Sequence, residues 1–368
     1  MRILFGVQGT GNGHIARSRT LARALARCDV EVDYLFSGRA PGHYFGMEQF
    51  GDYRACQGLT FSSHQGRISP WRTLRDSHPV SFWRDLHALD CSQYDLVISD
   101  FEPLTAHAAR RIGMRSLGIS HQASFEWPVP RWGENGVSRW LMGHFAPVQQ
   151  QLGLHWFHFG APLLPPVIDA LEPSTDHGAV LVYLPFEQIE HIQALLARFT
   201  HHRFICFHPE VLATYEWRNL IFNPTQREGF LEVLRGCRGV ISNAGFELAS
   251  EALSLGKKLL VKPLTGQFEQ LTNGKTLEMM GLATLMDSLD PNAVRPWLDS
   301  PPPGRVTWPD VASEVARWLV AGATEPVEAL SARLWQRTLY PEEVTERLCE
   351  LEGGERISAG WLASLRTF

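Results

Sequence analysis

No stretch of this sequence reaches the run of about 18 apolar residues that a membrane span needs. No apolar leader with a small-residue cleavage site precedes the first glycines. There is no C-x-x-C pair either. The six cysteines, Cys28, Cys56, Cys91, Cys206, Cys237 and Cys349, lie far apart, as reduced thiols do in a long chain without a disulfide framework. A cytoplasmic location is the expectation, with room for peripheral contact at the inner face of the membrane. Lysine is missing from the first 165 residues, where 16 arginines and 13 acids leave a charge of +3, against −8 in the remainder. That asymmetry suits an anionic partner for the first half and falls far short of a nucleic-acid footprint. The fifteen histidines do not assemble into a metal set. The tightest groups, His155 with His158 and His201 with His202, have no carboxylate or cysteine at ligand spacing.

What is present is an ordinary globular composition, 44% apolar and 20% charged, on 368 residues. That length exceeds what one core comfortably fills, so two domains are expected. RILFGVQ, VEVDYLF, YDLVISD and MRSLGIS read as buried strands. Between them lie a helix in HIARSRTLARALARC and another from Pro103 to about Ile112, which predicts a doubly wound parallel sheet. APLLPPVIDALEPSTDHG, with four prolines, interrupts the pattern. The alternation then restarts through GAVLVYLP, RFICFHP, NLIF, RGVIS and KKLLVKP as strands, with helices between. The fold class predicted is α/β, two Rossmann-like doubly wound domains facing across a cleft: 1–165, then 166–310, then C-terminal helices over 311–368 packing back toward the first domain. In such sheets ligands bind beyond the carboxyl ends of the strands, so the site belongs in the cleft.

The loop GTGNGH joins the first strand to the first helix. Glycines there let backbone approach a ligand at a helix N-terminus. A dinucleotide site uses G-x-G-x-x-G and an acid at the end of the second strand. Here the spacing is G-x-G-x-G, and that strand ends LFSG, which speaks against an oxidoreductase. His14 stands at the mouth of the loop. A helix N-terminus disfavours added positive charge, so an imidazole there is available as a base. Asp100, at the carboxyl end of YDLVISD, is placed to orient that imidazole, unless it serves as a cap for the helix at Pro103. Gly11, Asn12 and Gly13 then belong to the acceptor side.

In the second half, RGVISNAGFELASEALSLGKKLLVKPLTGQFEQLTNG carries the strongest signal. A strand ends at Ser242, the chain turns through Asn243, Ala244 and Gly245, and a helix begins at Phe246, offering free amides and a positive dipole end to an anion. Glu251, two turns along at most, can reach a ribose. The loop with Gln267, Phe268, Glu269 and Gln270 offers amide and carboxylate groups to sugar hydroxyls.

GTGNGHIARS, DLVISDFEP and the 238–274 stretch together resemble nucleotide-sugar glycosyltransferases of the GT-B fold. The similarity is greatest to the branch around MurG and the UDP-glucuronosyl and plant secondary-product transferases, with its uncharacterised bacterial and archaeal members. The resemblance spans roughly 1–320. It implies that Gly245 and its neighbours hold a diphosphate, Glu251 the ribose, and Glu269 with Gln270 the sugar hydroxyls, Gln267 being a rival for that contact. Glu247 and Leu248 stand where plant relatives carry Asn and Ser, so Glu247 is expected to point away from the phosphates or meet the sugar. Retaining relatives carry E-x7-E ending at the equivalent of Glu251. Asn243 replaces the first acid, which favours a single inverting displacement with His14 as base and Asp100 as its orienter. No D-x-D motif is present to hold a metal. Glu31-Val32-Asp33 lies inside an N-terminal strand, and Lys262 and Lys258 are the cations nearest the proposed diphosphate.

No cofactor is expected beyond the donor itself, a UDP-sugar foremost. The acceptor, a small molecule, glycan or lipid-linked group, is expected against the first domain, near His121 and an aromatic run in which Trp127, Trp132 and Trp140 offer a stacking platform or ordinary packing. Arg110, Arg111 and Arg115 form a solvated helix face or a basic patch toward an anionic membrane. Two other readings stand beside transfer: a nucleotide-sugar hydrolase or epimerase on the same fold, and a non-catalytic nucleotide-sugar-binding protein.

Overall fold

The computed structural model describes residues 1–44, 46–59, 63–64, 67–68 and 79–354; the part of the expected C-terminal segment beyond 354 lies outside the described residues. The first sheet contains β1 (Arg2–Gln8), β2 (Glu31–Ser37) and β3 (Arg54–Cys56). β4 (Ser63–His64) and β5 (Arg67–Ile68) form a small antiparallel pair apart from it. β6 (Leu96–Asp100), β7 (Ser116–Ser120) and β8 (Gln150–Gly153) complete the sheet, in the order β3-β2-β1-β6-β7-β8 with every pairing parallel. Ile3, Leu4, Phe5 and Val7 are fully buried on both faces of β1, because helices cover both sides of a parallel sheet.

The second sheet contains β9 (Ala179–Tyr183), β10 (Arg203–His208), β11 (Tyr215–Trp217), β12 (Leu220–Pro224), β13 (Gly239–Asn243), β14 (Lys258–Lys262) and β15 (Thr284–Leu285). Their order is β11-β12-β10-β9-β13-β14-β15, and only β11 runs antiparallel to its neighbour. Between the sheets, residues 161–178 form no helix or strand, only one bridge from Leu164 to Leu154. The helices Val311–Val320 and Val327–Trp335 return to the first half. The former packs on the helix Asn12–Leu25, and Ser331 Oγ and Trp335 Nε1 donate to the Leu163 carbonyl at 2.5 and 2.6 Å. One apolar core runs through both halves, from Phe5 and Ile98 to Val240, Phe246 and Leu330.

Strand order reverses between β1 and β6 in the first sheet and between β9 and β13 in the second. At such a reversal the helices leave on opposite faces and open a crevice at the strand ends. The glycine loop and Asp100 lie at the first crevice, and the Asn243-Ala244-Gly245 turn at the second. Asn12 Nδ2 donates to the Tyr183 hydroxyl at 3.2 Å, joining the loop after β1 to the end of β9.

Candidate active site

The His14 helix (Asn12–Leu25) starts after Gly11, whose backbone is extended and which supplies no capping side chain. Its first turn therefore carries His14 with amides free for other acceptors. Asp100 ends β6, and Phe101 then adopts a left-handed backbone, φ 50°, that turns the chain into the helix Pro103–Ile112. Such a conformation costs a bulky residue on the order of 1–3 kcal/mol and marks a constrained corner. The cap of that helix is Glu102, which accepts from the amides of Leu104 at 2.8 Å and Thr105 at 2.7 Å. Asp100 is not the cap. Its carboxylate is fully buried and free for another task.

That task is the imidazole. His14 Nδ1 lies 2.8 Å from Asp100 Oδ1. The same carboxylate accepts from Arg17 Nε at 3.0 Å and a terminal Arg17 nitrogen at 2.6 Å, and from Ser18 Oγ at 3.3 Å. Burial alone would raise the Asp100 pKa; Arg17 and His14, by charge and hydrogen bonds, outweigh it and hold the group below the ordinary carboxylate value. A terminal Arg17 nitrogen also lies 3.0 Å from Nδ1, but the ionised carboxylate at 2.8 Å accepts only, so the tautomer that pairs with Asp100 carries its proton on Nδ1 and keeps the lone pair on Nε2. Nε2 makes no hydrogen bond among the described residues.

Facing this pair is the Glu247 helix (Phe246–Ser254), again opened by a glycine, Gly245, with no capping side chain. Glu247 leans against the glycine loop: a Cβ on Gly13 would stand 3.1 Å from Glu247 Cγ. Its carboxyl accepts from Arg17, so one buried guanidinium touches acids of both halves. Burial, with Glu251 and Asp100 nearby, pushes Glu247 up to about 8 despite Arg17. Glu251, one turn on, is enclosed beside Asp169, Arg227 and Arg19, and burial pushes it up to about 7. Neither of its oxygens takes a hydrogen bond among the described residues.

The sequence profile of glycosyl transferase family 1 matches residues 1–127 and 143–302. The chain belongs to that family. Solved structures support the same architecture. UGT2 of Phytolacca americana, solved with UDP-2-fluoro-glucose and pterostilbene, is 13% identical with a TM-score of 0.57, covering 96% of this chain and 99% of its own. UGT89C1 of Arabidopsis thaliana, solved with UDP, is 15% identical with a TM-score of 0.55, covering 96% and 98%. SnogD of Streptomyces nogalater is 16% identical with a TM-score of 0.51, covering 87% and 99%. No curated protein sequence matches. The GT-B fold and the assignment as a glycosyltransferase follow.

Several residues expected at the glycosyltransferase's substrate surface prove to be interior packing. Phe246 stacks on His121, centroids 4.1 Å apart and planes 7° off parallel. His121 is buried, with Nδ1 2.8 Å from the Leu154 carbonyl and Nε2 2.7 Å from Asn273 Oδ1, which takes it off the acceptor side. Phe268 is buried against Phe125, and Ala244 is fully buried with its carbonyl accepting from Asn273 Nδ2 at 3.1 Å. Gln270 is spent on the loop before it, accepting from the Leu264 amide at 3.0 Å. Gln267 Oε1 is the buried, unpartnered acceptor instead. Glu269 accepts from Gln122 Nε2 at 3.0 Å. Trp127 is partly buried against the main core, and Trp140, 61% exposed, stacks on His144; no ring contact joins Trp127, Trp132 and Trp140 among the described residues. The three do not form one platform.

The cations also sort out. Lys262 is buried in an ion pair with Glu187, 2.5 Å, which spends its charge. Lys258 begins β14 rather than ending it, and its Nζ donates to the carbonyls of Trp297, Leu298 and Ser300, far from the strand's carboxyl end. Arg115 donates to the Gly322 carbonyl at 2.7 Å. Asp33 accepts from Arg2 at 2.9 Å and Tyr94 at 2.8 Å, near the amino edge of the sheet. No group of three or more His, Cys, Asp or Glu side chains is set to hold a metal among the described residues, and none of the described helices is long and apolar enough to cross a membrane.

Arg17, Arg39 and Tyr183 were not anticipated. Arg39 donates to the Thr10 carbonyl at 3.0 Å and to Asn12 Oδ1 at 3.2 Å, bracing the glycine loop. Arg17 had a legible signal, three residues past His14 and so on the same helix face.

Proposed function

We propose that this glycosyltransferase moves a sugar from a nucleoside-diphosphate sugar, foremost a UDP-sugar, to an acceptor hydroxyl by one inverting displacement. The observation that carries this is the His14–Asp100 pair at the first crevice, set against the uncapped Glu247 helix at the second. The first-turn amides past Gly245 are the diphosphate site. Ser242 Oγ, near the end of β13, is buried without a partner and can donate to a phosphate oxygen, whereas the buried, unpartnered Asn243 Oδ1 and Gln267 Oε1 only accept and so suit hydroxyls of the donor rather than its phosphates. Glu251, whose oxygens take no hydrogen bond, is the acceptor for ribose hydroxyls. Asn243 Nδ2 is tied to the Lys262 carbonyl at 2.9 Å, and an amide there supplies no acid for a double displacement.

In the step itself, Nε2 of His14 takes the proton of the acceptor hydroxyl as its oxygen bonds to the anomeric carbon from the face opposite the leaving group. The bond from that carbon to the phosphate oxygen breaks, and its electron pair leaves with the diphosphate, where oriented backbone amides stabilise the growing charge without a metal. Asp100 stabilises the imidazolium that forms. The reaction is assigned to the cytoplasmic compartment, with peripheral membrane contact where the acceptor is lipid-linked.

The test is the product. Proton NMR of the first turnovers shows inverted anomeric configuration, and chelation of divalent ions leaves the rate unchanged. Retained configuration, or a rate abolished by chelator and restored by a divalent ion, contradicts the proposal. Nucleotide-sugar cleavage that is fast and indifferent to any acceptor points to the hydrolase instead.

A further inference from the structure

The geometry around Arg17 goes beyond a base and its orienter, though it rests on reading His14 as the base. Arg17 is 2% exposed and lies 230 positions from its second partner, Glu247. Burying a guanidinium is costly unless its charge is matched and its donors are paired. Here a single planar fork makes three hydrogen bonds to carboxyl groups. Nε and one terminal nitrogen grip both oxygens of Asp100, at 3.0 and 2.6 Å, and the other terminal nitrogen reaches the carboxyl of Glu247. Asp100 therefore accepts from four donors, His14, Ser18 and Arg17 twice, and its plane cannot turn. Without Arg17, only His14 and Ser18 would remain to orient it. Glu247 sits two positions past Gly245, in the first turn of the helix assigned to the diphosphate.

We propose that Arg17 is a positioning residue that fixes the Asp100 carboxylate for His14 and, through Glu247, makes that alignment depend on the donor-side helix being docked on the His14 helix. The base is then complete only when the two halves meet. A lysine at 17 supplies the charge without the planar fork, so it separates positioning from simple neutralisation.

The experiment uses the full-length protein as Arg17→Lys, Glu247→Ala and Glu247→Gln, with melting curves to confirm folding. Three quantities are read: kcat at saturating donor, donor affinity by calorimetry, and the NMR resonance of the His14 Nδ1 proton. Arg17→Lys loses about 10- to 100-fold in kcat, the size of a small misplacement of a catalytic group, with donor affinity within about 3-fold and the Nδ1 proton resonance displaced or lost. Glu247→Ala gives the same pattern: lower kcat and a displaced or lost resonance, with donor affinity within about 3-fold. Glu247→Gln, which keeps an acceptor oxygen for Arg17, restores most of the rate and the resonance. Folded Arg17→Lys with an unchanged resonance and kcat within about 3-fold overturns the proposal, as does Glu247→Gln behaving no better than Glu247→Ala. The base reading fails separately: a displaced resonance with unchanged kcat removes His14 from the chemistry, whereas a dead His14→Ala beside a normal Arg17→Lys removes only Arg17. Should Arg17→Lys fail to fold, the two Glu247 variants carry the same decision.

Discussion

Replacing Asp100 with Asn tests the site with almost no change of shape. The carboxylate is fully buried and accepts from His14 Nδ1, Arg17 Nε, a terminal Arg17 nitrogen and Ser18 Oγ. An amide offers one acceptor oxygen and two donor hydrogens. Turned one way, its NH2 faces His14 Nδ1 and drives the imidazole proton to Nε2, the wrong tautomer for a base. Turned the other way, the NH2 meets Arg17 Nε, donor against donor, beside a buried cation that has lost the carboxylate gripping it. Losing one partner of a buried pair costs about 3–5 kcal/mol. Losing the base is worth about 10²–10⁴-fold in rate, or about 3–5 kcal/mol in barrier. The variant therefore melts lower and, at a temperature where it is folded, turns over about 10²–10⁴-fold more slowly, while calorimetric donor affinity stays near the wild-type value. Nucleoside diphosphate release, normalised to folded protein, is the assay. A folded Asp100→Asn enzyme with wild-type turnover refutes the reasoning, even if its melting temperature falls.

Further outcomes follow from the contact between halves. Glu247 and Glu251 are raised to about 8 and about 7 from the ordinary 4.5, so the folded state holds protons that the unfolded chain has released; stability is full below about pH 4.5 and declines as pH rises toward 8. Melting temperatures from pH 5 to 9 should show this fall, and Glu247→Gln should flatten its upper part. Gly13→Val puts branched carbon where a Cβ alone would stand 3.1 Å from Glu247 Cγ, so kcat should drop at least about 10-fold with the fold intact; unchanged kcat would mean the two helices need not approach so closely. Trp156 is fully buried, with its indole N–H donating to Ser250 Oγ at 2.9 Å across the halves. Trp156→Ala should cost about 3–5 kcal/mol in denaturant unfolding, and a loss under about 1 kcal/mol would show that this contact adds little.

The central strands were legible because buried parallel strands are near-continuous apolar runs, as in RILFGVQ and GVISN. The edge strands β3, β11 and β15 were not, since two or three half-exposed residues carry no period. The helix Gly136–His144 escaped notice although Asn135 and Ser138 form a capping box, because none of its residues is buried and its apolar Val137 and Trp140 face solvent. His14 and Asp100 could be paired in advance, as the one lies in the first turn of the helix after β1 and the other ends the neighbouring strand β6. The link from Arg17 to Glu247 could not, because only the docking of two separate helices creates it. Phe246, Phe268 and His121 misled for a related reason. They stand in the loops the motifs single out, but their rings pack inward and hold those loops together.

The most direct measurement of the central claim is single-turnover transfer by His14→Ala, with donor occupancy fixed by a separately measured dissociation constant. A drop of about 10²–10⁴-fold at full occupancy is the predicted result. Turnover within about 3-fold of wild type, with the donor bound equally well, would contradict it.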